Sequence, residues 1–298
     1  MEGLLNIFKD ESNAQPLIET NNEFFLACQK GDLKSMLHFL ENNDIDINSK
    51  DNRGYTGLLY AAKFGHTQVF EELLKLKADM YEVNPLGKSA FHLAALNGHL
   101  NIIERLLECQ FKIDTVDEAG KTALHDAAKN GQIDIVNRLI EKSINIEVSD
   151  INGYTAFYLA AMNDNIEVLD RLMECNVNMY KETAIGNTAF HTAAEHGHLR
   201  IVNRLLPYMN DINLENNWRE TALHLATYHC QLSIIKRLIE CNASLSVRNI
   251  GNYTPLHLAL IKNKDMETAF LMIRSKKFNP NNHMYASSSL LHLILNLK

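Results

Sequence analysis

Residues 120–131 read GKTALHDAAKNG and set His125 beside Asp126. An imidazole next to a carboxylate is the pairing of general acid–base catalysis, and it is also half of a metal site. A second such pair, His229–Cys230, has the makings of a nucleophile, a thiol beside the base that could activate it. Cys28, Cys109, Cys175 and Cys241 complete a set of five cysteines. The number is odd and no C-x-x-C occurs, so neither a disulfide framework nor a zinc ribbon is expected. A reducing compartment fits such a chain. That predicts a cytoplasmic protein, with delivery into a host-cell cytosol as the alternative.

Composition narrows the field. The 298 residues are 46% hydrophobic and 22% charged, which is ordinary for a globular chain with a sizeable core. A net charge of -7 without a basic run argues against nucleic acid as partner, since phosphate contacts need clustered Lys and Arg. The opening MEGLLNIFKDESNAQP has no basic start, long apolar core or cleavage site, so it is not read as a secretory signal. No apolar run is long enough to span a bilayer. Phosphate loops, nucleophile motifs and carboxylate dyads are absent from the sequence, so no cofactor, metal or catalytic residue is assigned.

GKTALHDAAKNG is not alone. Gly54, Gly87, Gly120, Gly153 and Gly186 follow one another at a spacing of 33. Thr56, Ser89, Thr122, Thr155, Thr188, Thr221 and Thr254 keep that spacing two places later. The copies include GYTGLLYAAKFGH, GKSAFHLAALNGH, GYTAFYLAAMNDN, GNTAFHTAAEHGH, RETALHLATYHCQ and NYTPLHLALIKNK. Each is followed by a second apolar stretch such as IIERLLEC or IVNRLIEK. Thr or Ser before an apolar run is a helix N-cap, and Pro255 suits the first helical position. Paired alanines let a neighbouring helix come close. Gly65, Gly98, Gly131 and Gly197 then suit a left-handed helix end. Every unit therefore predicts helix, turn, helix and a projecting loop. One such pair cannot bury its apolar face alone, so the units must stack.

The pattern closely resembles the ankyrin repeat family. The resemblance implies an all-α repeat solenoid whose units carry a β-hairpin-like loop and stack into a curved array. It runs over residues 21–298: a divergent capping copy at NEFFLACQKGDLKSMLHFLEN, seven clear repeats, and an incomplete last one at SSLLHLILNLK. Residues 1–20 form an extension in which GLLNIF is either a short amphipathic turn on the first repeat or a partner-binding segment. At the other end, either a short helix caps the array or the natural chain continues.

The family resemblance gives His92, His125, His191, His224 and His257, which share one repeat position, a structural role within the repeat and toward the next loop. Copies in successive repeats stand too far apart to converge on a metal, and the same holds for Cys109, Cys175 and Cys241. Asp126 replaces the Leu93, Leu225 and Leu258 of other repeats and reads as a local polar substitution. Cys230 replaces a turn glycine, so either the backbone adjusts there or left-handed strain is stored.

Function is then expected on the surface. The resemblance implies a non-catalytic, monomeric scaffold that binds a protein or peptide through its concave face and loop tips. The alternative is the recruiting part of a larger enzyme or host-directed bacterial effector. By register the contact residues are Arg53, Tyr55, Phe64, Leu86, Lys88, Leu96, Lys121, Lys129, Ile151, Tyr154, Met162, Ile185, His196, Trp218, Tyr228, His229 and Tyr253. Tyr158 for histidine and Asp164 for glycine predict a weaker repeat. Pro207 and Arg219 predict a soft segment over 205–232, where amide hydrogen exchange should run faster than over 90–130. Equal protection in the two segments would refute this.

Overall fold

A computed structural model describes residues 22–42, 45–263 and 265–275. The extension at 1–20 and the incomplete last repeat lie outside the described residues. The chain divides into two compact units that part between Ile151 and Asn152.

The first unit holds α1 (22–30), α2 (Leu33–Asn42), α3 (Gly57–Phe64), α4 (Thr67–Lys75), α5 (Ala90–Asn97), α6 (Leu100–Glu108), α7 (Ala123–Lys129) and α8 (Ile133–Glu141). α3, α5 and α7 pack on α4, α6 and α8, and the first helices pack in succession, α3 on α5 and α5 on α7. Their contact is dry: Ala61, Ala62, Ala94, Ala95, Ala127 and Ala128 are wholly buried. Gly57 stands where the next five repeats have alanine. A Cβ there would sit 2.8 Å from the Cys28 sulfur and 2.9 Å from the Phe24 ring, so its absence lets α1 close on α3. Second helices bury one stripe, as Ile102, Ile103 and Leu106 do in α6. Each such side chain contributes on the order of 2 kcal/mol.

The second unit repeats the scheme with α9 (Ala156–Met162), α10 (Ile166–Glu174), α11 (Ala189–His196), α12 (Leu199–Leu205), α13 (Ala222–Tyr228), α14 (Leu232–Glu240), α15 (Pro255–His257) and α16 (Met266–Arg274). Two elements depart from it. Pro207 ends α12 early, and the chain tightens into a 3-10 turn over Leu206–Tyr208. The Tyr180 hydroxyl holds that turn, donating to the Tyr208 carbonyl and accepting the Asn210 N–H at 2.9 Å. After α15 the helix widens into a π-helical stretch over Leu258–Asn263.

Helix starts follow the threonine signal. Thr56 accepts the Leu59 N–H at 3.2 Å and Thr155 that of Tyr158 at 3.1 Å. Around Ser89, Thr122, Thr188, Thr221 and Thr254 a capping box closes with histidine in place of the usual Glu or Gln.

The turn after the first helix needs glycine for two reasons. Gly65 and Gly98 have φ of 78° and 80°. A Cβ on them would also lie 2.5 Å from the His99 ring and from the Gln132 amide of the following repeat. Asp164 and Cys230 keep that left-handed backbone without glycine, at φ of 57° and 56°, and Arg219 does so at a loop tip, at 58°. The second-helix ends do the same at Lys77, Gln110, Ser143, Asn176 and Asn242.

The loops are less hairpin-like than expected. Among the described residues they carry one isolated bridge, Val83 with Ser89. A buried Asp, Asn or Thr at the loop foot does the closing. Asp117 Oδ1 accepts the N–H groups of Ala119 and Lys121, both at 2.9 Å. Asn216 Oδ1 does so for Trp218 and Glu220. Adjacent loops are joined by backbone bonds, Glu118 N–H to the Leu86 carbonyl at 3.1 Å and Ile250 N–H to the Trp218 carbonyl at 2.9 Å.

Candidate functional site

The capping-box histidines, His125 among them, prove to be braces. The Nδ1 of His92, His125, His191 and His224 lies 2.9 Å from the hydroxyl of Ser89, Thr122, Thr188 and Thr221. The Nε2 of His92 faces the Lys121 carbonyl at 3.0 Å, that of His191 faces Leu214 at 2.9 Å, and that of His224 faces Tyr253 at 3.2 Å. A carbonyl only accepts, so Nε2 carries the hydrogen and Nδ1 accepts. Burial favours this neutral form and holds His191 and His224 down to about 4.

Asp126 does not serve His125. Its buried carboxylate is ion-paired at 2.6 Å with Lys88 from the preceding repeat. Lys88 also reaches Asp117 at 2.9 Å. Burial opposes the charge on Lys88, but the two carboxylates outweigh it and hold the ammonium above its ordinary value. Cys28 is no nucleophile either, for burial pushes its thiol up to about 12. Among the described residues no group of three or more His, Cys, Asp or Glu could hold a metal ion.

The other histidine register ties repeat to repeat. His66, His99 and His198 donate from Nε2 to the carbonyls of Gln29, Lys63 and Met162 at 2.8–3.0 Å. Gln231 takes the same part toward Glu195 at 3.1 Å.

The surface residues divide into two kinds. In the first three clear repeats the position just after the loop tip reaches into the next loop. Tyr55 accepts from Asn84 at 2.9 Å, Lys88 is ion-paired as above, and Lys121 faces Asp150 at 3.8 Å. These three, expected to face a partner, are committed to the scaffold because the buried loop-foot residue of the next repeat lies within their reach. Tyr154 stacks on Tyr158 with ring centroids 4.8 Å apart. Leu96 and Met162 are half-buried. Arg53, Phe64, Leu86, Lys129, Ile151 and His196 are exposed, with the Lys63 ammonium 5.4 Å from the Phe64 ring.

In the second unit five of the expected residues converge. Ile185, Trp218, Tyr228, His229 and Tyr253 line an open groove of about 580 Å³. Leu225 and Leu258 form part of its wall, with Ile250 at the rim and Glu195, Glu220 and Asn249 as its polar lining. Trp218 is 41% exposed and Ile250 66%, more apolar surface than packing within the repeats requires. Leu225, Leu258 and Asn249 went unforeseen, since their register positions read as core or loop material.

Cys230 lies beside this groove, exposed and at φ 56°. Cys230→Gly should stabilise the protein by about 0.5–1 kcal/mol, the left-handed strain relieved less the extra freedom glycine gains when unfolded. Urea unfolding checks it, and a loss of stability would show that the thiol packs to advantage.

Known proteins give the context. A family model described as ankyrin repeats (3 copies) matches four overlapping stretches, residues 24–117, 61–150, 124–216 and 190–284. A curated ankyrin repeat protein of Rickettsia bellii (strain RML369-C) is 33% identical over 93 residues, a stretch that covers 30% of this chain and 53% of that protein. The similarity thus spans about half the length of that relative. With family matches running from residue 24 to residue 284 over helix pairs of the geometry described above, the chain belongs to the ankyrin repeat family.

Proposed function

We propose that this protein is a non-catalytic interaction module that binds a protein or peptide across its loop tips and the exposed ends of its first helices. Ankyrin repeats generally mediate protein–protein interaction, and ankyrin repeat domains are typically non-catalytic scaffolds. The observation that carries the reading is the groove of the second unit, where exposed Trp218, Tyr228 and Ile250 meet polar groups. Binding energy concentrates on such aromatic anchors. Free Cys109, Cys175, Cys230 and Cys241, all at least partly accessible, suit a monomer working in a reducing compartment. No helix among the described residues is long and apolar enough to cross a membrane.

Trp218→Ala or Tyr228→Ala should weaken partner binding by more than about 1 kcal/mol while leaving the melting temperature nearly unchanged, since both side chains are exposed. Titration calorimetry against a captured partner, with a thermal melt of each variant, makes the comparison. Unchanged affinity in both variants would move the binding surface elsewhere.

A further inference from the structure

Two register positions supply much of the lining of the groove. One lies two residues before the left-handed turn of the first helix and holds Lys63, Leu96, Lys129, Met162, Glu195, Tyr228 and Ile261 in successive repeats. The other follows the loop tip and holds Tyr55, Lys88, Lys121, Tyr154, Asn187, Glu220 and Tyr253. A carboxylate occurs once in each series, at Glu195 and Glu220, and both line this groove. Among the described residues no lysine or arginine lines it. The nearest guanidinium in sequence, Arg219, turns away to Glu215 at 3.0 Å, and Arg248 is bound to the Asn252 carbonyl at 2.9 Å. His229 is the one basic side chain present, 3.4 Å from Glu195. Glu220 accepts from Asn249 through one oxygen at 3.3 Å.

Acidic groups beside exposed aromatic rings form a setting for a cation. A guanidinium can stack on Trp218 or Tyr228 while it pairs with a carboxylate. The apolar wall lowers the local dielectric and strengthens that pairing over the same contact in open water. We infer that the groove takes a peptide segment with an aromatic or large aliphatic side chain flanked by arginine or lysine. The apolar group seats against Ile185, Trp218, Tyr228 and Ile250, and the cation against Glu195 and Glu220. The inference rests on the proposed role of the groove as the binding surface and adds the chemistry of what it selects.

The only tryptophan of the chain is Trp218, so its fluorescence reports this groove alone. The probes are four short Gly-Ser peptides: a Leu-Phe pair flanked by arginines, the same pair flanked by glutamates, the pair without charges, and the arginines without the pair. Only the first should shift Trp218 emission at micromolar concentration, and its affinity should fall as salt is raised. Glu195→Gln with Glu220→Gln should weaken it about fivefold and flatten the salt dependence. Glutamine keeps an acceptor for Asn249, and unchanged circular dichroism and melting would show that the variant folds. Equal binding of the uncharged or glutamate peptide would overturn the charge selection and leave the groove standing as a peptide site. Binding of the arginines alone would overturn the apolar part. If none of the four peptides moves Trp218 emission, the inference fails; the proposed function is then judged separately by the Trp218→Ala and Tyr228→Ala affinities.

Discussion

Lys88→Met should cost the first unit about 3 kcal/mol, the largest loss expected from any single charge in the protein. The ammonium is the shared partner of Asp117 and Asp126, whose side chains are 3% and 5% exposed. Removing it leaves two carboxylates facing each other in a dry site, and breaking a buried pair from one side is far more damaging than replacing it outright. Methionine keeps the apolar stem, so the loss measures charge and not packing. The rescue follows from the repeats themselves. Leu93, Leu225 and Leu258 stand where Asp126 does, and Asn84, Asn216 and Asn249 stand where Asp117 does. Lys88→Met with Asp126→Leu and Asp117→Asn should therefore return to within about 1 kcal/mol of the parent. Asparagine still accepts the N–H groups of Ala119 and Lys121. Urea unfolding of the single and triple variants tests both halves, and a single variant as stable as the parent would mean that the cluster is solvated.

Mild acid should unfold the second unit next. His191 and His224 titrate at about 4 in the fold because burial opposes the charge, against roughly 6.5 when unfolded. Between those values the unfolded chain holds the extra protons. Stability is therefore complete above about pH 6.5 and falls as the pH drops toward 4, at about 1.4 kcal/mol per pH unit for each ring. By pH 5 the two together remove about 4 kcal/mol, in a range where carboxylates are still largely ionised. A protonated ring would also turn an N–H toward the Thr188 or Thr221 hydroxyl and backbone N–H that Nδ1 now accepts. His224→Gln should lower stability at pH 7 and cut the slope between pH 6.5 and 5 by about half. A slope unchanged in that variant would mean that other groups carry the acid sensitivity.

These two clusters show where the sequence was legible. Thr122, His125 and the alanine pair could be read because capping and close packing are local and recur at a fixed spacing. The pairing of Asp126 could not, because its partner lies 38 residues upstream and at a different register position. Tyr55, Lys88 and Lys121 stand just after the loop tips, where register puts them, but their side chains reach the next loop instead of facing outward. The residues that hold them, Asn84, Asp117 and Asp150, do recur at a spacing of 33. Their recurrence names no partner, because Asn and Asp suit turns in general. Several of the groove residues, among them Trp218, Glu195 and Glu220, do stand out in register. Their convergence does not, since it depends on how three successive repeats are rotated on one another.

The bonds between repeats run both ways: His92 and Lys88 donate forward to Lys121 and Asp126, while a second set points back. His66 donates back to Gln29, His99 to Lys63, Asn84 to Tyr55, and the Glu118 N–H to Leu86. In this second set the later segment supplies the donor and the earlier one the acceptor. On the ribosome, then, a newly made helix pair holds both carbonyls and N–H donors whose protein partners lie in the next repeat. Ordering then trails synthesis by about one repeat, and the growing end of the nascent chain presents open donors and acceptors to the segment about to emerge.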